Sequence, residues 1–152
     1  YGWREFVQMS KFSRETIVQS ARSWIGTPYH HQASLKHIGC DCLGLLRGVW
    51  RECCGDEPES PPPYRPEWAE ASGEERLMAA ALRWLVPVAA HDPQAGDVVL
   101  FRWREDLPAK HIGIATSATT MIHAHDGACV CEVSLGSAWR RRIAGIFSFP
   151  GL

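Results

Sequence analysis

The chain has 152 residues, of which 45% are hydrophobic, and a formal net charge of −1 at neutral pH. This length and apolar content indicate one folded domain with a sizeable core. The charge gives no electrostatic reason to expect nucleic-acid binding, and no apolar run is long enough to insert into a membrane. The first residues carry scattered charges and lack the apolar centre of a secretion signal. We read residues 1–12 as an N-terminal extension and residues 13–152 as a single domain.

Helical patterns dominate the first half of the chain. The apolar spacing predicts a helix over residues 13–25, with Ser13 as its N-cap. A polar loop follows, and a second helix is predicted over residues 42–54. Gly44 and Gly48 lie four residues apart on that helix, which indicates that another element approaches its backbone closely.

A proline- and acid-rich stretch over residues 56–66 comes next and predicts an irregular surface connection. Two helical pieces, broken near Gly73, are expected over residues 67–87. The second piece has an apolar stripe over residues 74–85. We interpret its charged face as simply solvated.

The second half of the chain changes to short strand patterns. Strands are predicted over residues 97–103, 111–116, 120–125, 128–133 and 143–149. The dipeptide Asp126-Gly127 predicts a hairpin turn, and a short helix is expected over residues 138–142. Helices followed by antiparallel strands predict an α+β fold with the helices segregated to one side of the sheet.

Six cysteines raise the alternatives of disulfides and metal binding. They are Cys40, Cys42, Cys53, Cys54, Cys129 and Cys131. Their spacings differ from the Cys-x₂₋₄-Cys pattern of zinc sites, and adjacent cysteines bridge only with strain. We therefore predict reduced and mostly structural thiols, with no metal and no cofactor. The pair at 129 and 131 is expected on one face of a strand, buried beneath a helix.

Cys42 is the exception, because it is predicted at the N-terminus of the second helix. Asp41 can cap that helix, and the helix dipole and free amides favour a thiolate, the nucleophilic form. A cysteine can equally be only a core residue. Two histidines in predicted strands, His111 and His123, could supply a general base and its orienting partner, so we favour a catalytic role. His125 shares the predicted face of His123 and is the alternative third member.

Five segments, taken in order, resemble the NlpC/P60 family of cysteine peptidases. They are Gly-Thr-Pro-Tyr at 26–29, Asp-Cys-Leu-Gly-Leu at 41–45, Gly-Asp-Val-Val-Leu-Phe at 96–101, His-Ile-Gly-Ile at 111–114 and Met-Ile-His-Ala at 121–124. The resemblance implies a papain-like α+β fold, with N-terminal helices packed against a C-terminal antiparallel sheet. It also implies hydrolysis of peptidoglycan stem peptides, commonly at the D-γ-glutamyl–diaminopimelate bond.

The resemblance also implies a role for each matched residue. Cys42 corresponds to the nucleophile, His111 to the general base and His123 to the polar residue that orients it. Tyr29 corresponds to a tyrosine beside the nucleophile that aids oxyanion stabilisation. Asp41 corresponds to an acidic residue that helps to bind substrate.

Two departures from the family pattern touch the expected substrate groove. Leu43 stands where the family usually has serine, and residues 30–32 stand where it often has glycines. The chemistry is therefore better supported than the cleavage specificity.

Within the family, the chain most resembles the cell-wall peptidases of phage tails and gene transfer agents. That resemblance implies partner proteins in a phage-like tail or baseplate, synthesis in the cytoplasm without a signal peptide, and action at the cell wall. Two alternatives stay open. One is a structural tail-tip component with an inactive site, and the other is an amidase or acyltransferase of the same fold.

Overall fold

The computed structural model describes residues 13–61 and 75–152. Its helices are α1 (Arg14–Ser23), α2 (Cys42–Cys53), α3 (Arg76–Trp84) and α4 (Ser137–Arg140). Its strands are β1 (Ser34–Leu35), β2 (Gly39–Cys40), β3 (Val86–Pro87), β4 (Val98–Phe101), β5 (His111–Ala115), β6 (Thr120–His123), β7 (Cys131–Ser134) and β8 (Ile143–Ser148). The predicted α+β class is confirmed. None of the helices in these ranges has the length and apolar character needed to cross a membrane.

The main sheet has six strands in the order β3-β8-β4-β5-β6-β7, and every neighbouring pair is antiparallel. Strands β4 and β5 are buried along their whole length. One face of the sheet packs against α1 and α2 in a core that includes Ile17, Leu45 and Ile112. Alternate residues such as Phe101 point to the other face, where Trp139 of α4 covers them. The sheet is therefore the middle layer of the molecule.

Close packing against α2 explains its two glycines, because Trp24 at the end of α1 meets Gly48 and the loop before β1 meets Gly44. A Cβ atom on Gly48 would lie 2.0 Å from the ring of Trp24, and one on Gly44 would lie 1.8 Å from the carbonyl oxygen of Ala33. The predicted close approach at both positions is thus confirmed. Helix α1 begins at its predicted cap, because Ser13 and Thr16 form a capping box.

The predicted hairpin between β6 and β7 forms with its turn at Asp126-Gly127, but its strands are shorter than predicted. Strand β7 begins at Cys131 rather than at residue 128, and residues 124–130 form a longer loop. The backbone of Val130 donates to Thr27 and accepts from Gly26, at 2.8 and 2.9 Å. These residues thus satisfy their backbone groups by pairing with the segment after α1 instead of extending the hairpin.

This pairing also corrects the prediction for two cysteines. Cys129 lies outside the strand and is exposed, and Cys131 is only half-buried. They do not form one buried face beneath a helix. All six thiols are free in the structure.

The structure differs in detail from the remaining predictions for the first half of the chain. The polar loop before α2 contains the antiparallel ribbon β1–β2. The charged face before α3 is not simply solvated, because Glu75 accepts a hydrogen bond from the Ala109 amide at 2.7 Å and pairs with Arg102 at 3.0 Å. The predicted extension over residues 1–12 and the first helical piece after the proline-rich stretch lie outside the described residues.

Candidate active site

Cys42 is the first residue of α2 and is held there by a buried carboxylate. Asp41 Oδ1 accepts a hydrogen bond from the Gly44 amide at 2.7 Å, which is the N-cap interaction predicted from the sequence. Asp41 Oδ2 accepts another from the Gln32 amide at 2.8 Å, so the preceding loop is fixed to the helix start. The Cys42 sulfur lies 3.8 Å from the carbonyl oxygen of Lys110, which immediately precedes β5.

Two histidines on neighbouring strands form a hydrogen-bonded pair. His111 is the first residue of β5 and His123 is the last residue of β6. His111 Nε2 and His123 Nδ1 are 2.8 Å apart, and the two residues are only 4% and 3% exposed. With Nε2 engaged, Nδ1 is the nitrogen of His111 left to exchange a proton in the pocket that it shares with Cys42.

His125 does not take the third position. Its ring centroid lies 5.6 Å from that of His111 and 5.5 Å from that of His123, and its side chain is exposed. The reason is that β6 ends at His123, so the chain leaves the sheet before His125 can bond to its neighbour.

A pocket of about 240 Å³ is lined by Cys42, His111 and His125. Tyr29 and His31 line it from the loop that precedes β1, and Asp41 lines it from the start of α2. His31 Nδ1 is 3.9 Å from Asp41 Oδ2. The sequence analysis does not single out His31, because nothing in its local pattern shows that the polar loop folds back over α2.

No group of three or more His, Cys, Asp or Glu residues in the described ranges is arranged to hold a metal ion.

The sequence profile of the NlpC/P60 family matches residues 26–148. The chain belongs to the NlpC/P60 family. NlpC/P60 proteins are cysteine peptidases that act on peptidoglycan. The gamma-DL-glutamyl hydrolase of Bacillus subtilis (strain 168) is 30% identical over 139 residues, which cover 90% of this chain and 29% of the relative. The chain thus spans less than a third of that relative's length.

Solved NlpC/P60 structures share the fold of this chain. An NlpC/P60 family protein from Bacillus cereus ATCC 10987 has a TM-score of 0.67 at 16% identity, covering 90% of this chain and 40% of that one. The NlpC/p60 domain of the peptidoglycan hydrolase SagA has a TM-score of 0.62 at 22% identity, covering 90% of this chain and 99% of that one. Ly7917, solved with the hydrolyzing product of MDP, has a TM-score of 0.57 at 13% identity, covering 91% of this chain and 63% of that one.

Burial keeps the histidine pair and the Cys42 thiol of this NlpC/P60 site uncharged near neutral pH. It holds the pKa of His111 well below the ordinary 6.5, assisted by His123 and His125, and lowers that of His123 to about 4. It raises the pKa of Cys42 to about 12, and the charge of Asp41 acts in the same direction. The backbone amides of Ile112 on β5 and of Leu43 and Cys42 at the helix start oppose this increase only partly. The thiolate expected from the helix N-terminus is therefore not the resting form.

The hydroxyl of Tyr29 also stays protonated. Burial, followed by the nearby Cys42 and Asp41, raises the pKa of Tyr29 above its ordinary value of 10.0. The backbone of Tyr29 forms a bridge to Cys40 and donates to the carbonyl oxygen of Ala128. The residue therefore presents a hydrogen-bond donor to the pocket from a fixed position.

Two tryptophans that the sequence interpretation missed enclose the histidine pair. The rings of Trp103 and Trp139 each stack on His111 with centroids 5.5 Å apart. Trp139 also meets His123 edge-on at 5.2 Å. Both tryptophans come from elements that were predicted, but no local pattern distinguishes them from other apolar residues. Their packing explains how the His111–His123 hydrogen bond is kept from water.

Proposed function

We propose that this chain is a cysteine peptidase that hydrolyses peptide bonds in peptidoglycan stem peptides. The observation that carries the proposal is one pocket lined by Cys42, at a helix start, and by His111, which is hydrogen-bonded behind the pocket to the buried His123. A nucleophile, a base and a third group that orients the base are the requirements of covalent acyl transfer. Membership of the NlpC/P60 family supports the same reaction class.

In the proposed reaction, His111 acts as the base and then as the acid. Its Nε2–H donates to His123 Nδ1, which leaves a lone pair on His111 Nδ1. That nitrogen takes the thiol proton as the Cys42 sulfur attacks the substrate carbonyl. The same proton then passes to the leaving amine as the peptide bond breaks. Water, deprotonated by His111, hydrolyses the resulting thioester and restores the thiol.

His123 and Tyr29 have supporting roles in this proposal. The low pKa of His123 keeps its imidazole neutral, so Nδ1 remains an acceptor that holds His111 in one tautomer and orientation. The Tyr29 hydroxyl, together with backbone amides at the start of α2, would stabilise the oxyanion that forms during attack. Asp41 is proposed to contact substrate as well as to cap the helix.

We propose the D-γ-glutamyl–diaminopimelate bond as the site of cleavage. The sequence resemblance implies this bond, and the Bacillus subtilis relative is named for gamma-DL-glutamyl hydrolysis. The proposal excludes an amidase, which would release the whole stem peptide from the sugar–lactyl linkage. It also excludes an acyltransferase, whose products would carry an acceptor other than water.

A muropeptide digest analysed by mass spectrometry tests the activity and the bond together. Wild-type protein is expected to release a diaminopimelate-containing peptide and to leave L-alanyl-D-glutamate on the sugar. Cys42→Ala is expected to be inert, whereas Cys54→Ala, which changes an exposed thiol outside the pocket, should match the wild type. Intact muropeptides after incubation with folded wild-type protein would refute the proposal and favour a structural component with an inactive site.

We further propose that the chain works in a phage-like tail or baseplate and opens the cell wall locally. The support is the sequence resemblance to the cell-wall peptidases of phage tails and gene transfer agents. Mass spectrometry of purified particles from the producing strain tests this proposal. The chain should co-purify with tail proteins at a fixed stoichiometry, and its absence from intact particles would contradict the role.

A further inference from the structure

A second pocket, of about 430 Å³, lies beside the catalytic pocket and is lined by four arginines. They are Arg102, Arg104, Arg141 and Arg142. Glu105 also lines it. We call this cavity the basic pocket. Such a concentration of positive charge is unexpected in a chain whose formal net charge is −1.

Two of these arginines already have carboxylate partners. Arg102 pairs with Glu75 at 3.0 Å and donates to the carbonyl oxygen of Leu107 at 2.7 Å. Arg104 pairs with Asp106 at 3.4 Å, although both side chains are largely exposed. These contacts account for part of the positive charge of the basic pocket.

Arg141 and Arg142 are not compensated in this way. Within the described residues neither forms an ion pair, whereas the preceding Arg140 is paired with Asp92. Arg142 donates from Nε to the Trp103 carbonyl and from Nη1 to the Ala138 carbonyl, each at 3.4 Å. The guanidinium of Arg142 is therefore oriented by the backbone while its charge is left without a counter-ion.

Trp103 connects the basic pocket to the catalytic pocket, because it lines both. Its ring also stacks on His111 at a centroid distance of 5.5 Å. A substrate that occupies the catalytic pocket and continues past Trp103 would bring its next polar group to the arginines. Guanidinium groups bind carboxylates through paired, charge-assisted hydrogen bonds.

We propose that the basic pocket is a substrate subsite that binds a free carboxylate through Arg141 and Arg142. This inference rests on the proposed peptidase function and defines its substrate class as peptides with free carboxylates. A γ-glutamyl linkage leaves the α-carboxylate of glutamate outside the amide bond, so such peptides carry the required group. Peptides whose carboxylates are converted to carboxamides keep the same shape but lose the charge, and they bind the subsite weakly.

Equilibrium binding to the Cys42→Ala protein tests this inference without requiring turnover. The two probes are the peptide L-alanyl-γ-D-glutamyl-diaminopimelate and the same peptide with its carboxylates amidated, each titrated calorimetrically. Adding Arg141→Gln or Arg142→Gln is expected to weaken binding of the free-carboxylate peptide about tenfold and to leave the amidated peptide unchanged. Arg142→Lys should retain part of the affinity, since lysine keeps the positive charge but cannot form the paired hydrogen bonds of a planar guanidinium.

Arg22→Gln is the matched control, because it removes one positive charge from a surface ion pair away from both pockets. It should bind both peptides like the Cys42→Ala parent. Equal weakening of both peptides by the pocket variants, no weakening of either, or no binding of the free-carboxylate peptide to the parent would overturn the inference. Failure of the muropeptide digest with wild-type protein would instead refute the peptidase function, so the two failures are distinguishable.

Discussion

The proposed chemistry depends on one atom in the hydrogen bond between His111 and His123, the Nδ1 nitrogen of His123. In the proposed mechanism His123 Nδ1 accepts from His111 Nε2, and the acceptor must be neutral for this bond to have the correct direction. An imidazole with a depressed pKa meets this requirement as well as an amide oxygen would. It offers no negative charge, however, so it orients His111 without favouring the imidazolium form.

Replacement of His123 separates orientation from charge. The side-chain oxygen of asparagine can occupy nearly the place of Nδ1, whereas alanine leaves His111 Nε2 without its partner. We expect His123→Ala to lower kcat/KM by about 100-fold or more, and His123→Asn by about tenfold or less, within the range of general acid–base contributions. Steady-state kinetics on a soluble muropeptide measures both. Equal losses in the two folded variants would contradict the orienting role.

The packing of α1 against α2 decides how the nucleophile is presented, because α2 carries Cys42 at its first residue. Trp24 is 2% exposed and lies over Gly48, so the two helices approach closely at this point. The element that holds the proposed nucleophile is thus fixed at its start by a cap and along its length by a neighbouring helix.

Substitution of Gly48 by alanine tests this contact. Alanine is the better helix former, yet its Cβ would lie 2.0 Å from the Trp24 ring. We expect Gly48→Ala to reduce the free energy of unfolding by about 1–3 kcal/mol, the usual range for overpacking a core. Gly136→Ala is the control, since a Cβ there has no heavy atom within 4 Å. Urea denaturation measures both, and equal stabilities would exclude a close helix contact.

Local patterns were sufficient to predict α2, its Asp41 cap and the strands that carry His111 and His123. These features depend on residues that are close in the sequence. The pairing of Val130 with Gly26 and Thr27 could not be predicted in this way, because the partners are far apart in the chain. The same limit applies to Trp103, Trp139 and His31, whose roles arise only when the loops and α4 fold around the sheet.

At the scale of the whole molecule, the buried histidines link folding to pH. The pKa values of His111 and His123 are lower in the folded protein than the ordinary 6.5 expected after unfolding. The unfolded chain therefore binds more protons than the folded chain at mildly acidic pH. With respect to these two histidines, the free energy of unfolding is at its highest above about pH 6.5. It decreases as the pH falls from there through the folded pKa of His123, about 4.

This linkage predicts how stability depends on acid. Below about pH 6.5 each buried histidine should contribute a slope of up to about 1.4 kcal/mol per pH unit to the free energy of unfolding. His123→Asn removes one titrating group, so its slope should be shallower by a similar amount. Urea denaturation of both proteins between about pH 7 and pH 4.5 makes the comparison. Parallel curves would show that His123 does not titrate on unfolding.

The location of Cys42 on α2 and of His111 on β5 has a consequence during synthesis. The proposed nucleophile is translated well before the proposed base and its partner, so a partly made chain has the Cys42 thiol without the His111–His123 pair. Burial, together with the charge of Asp41, keeps the pKa of that thiol high in the folded chain, and α2 must pack against the sheet before His111 can reach it. The order of the sequence therefore makes the proposed catalytic site one of the last parts of the fold that can assemble, because its base and orienting residue come from the second half of the chain.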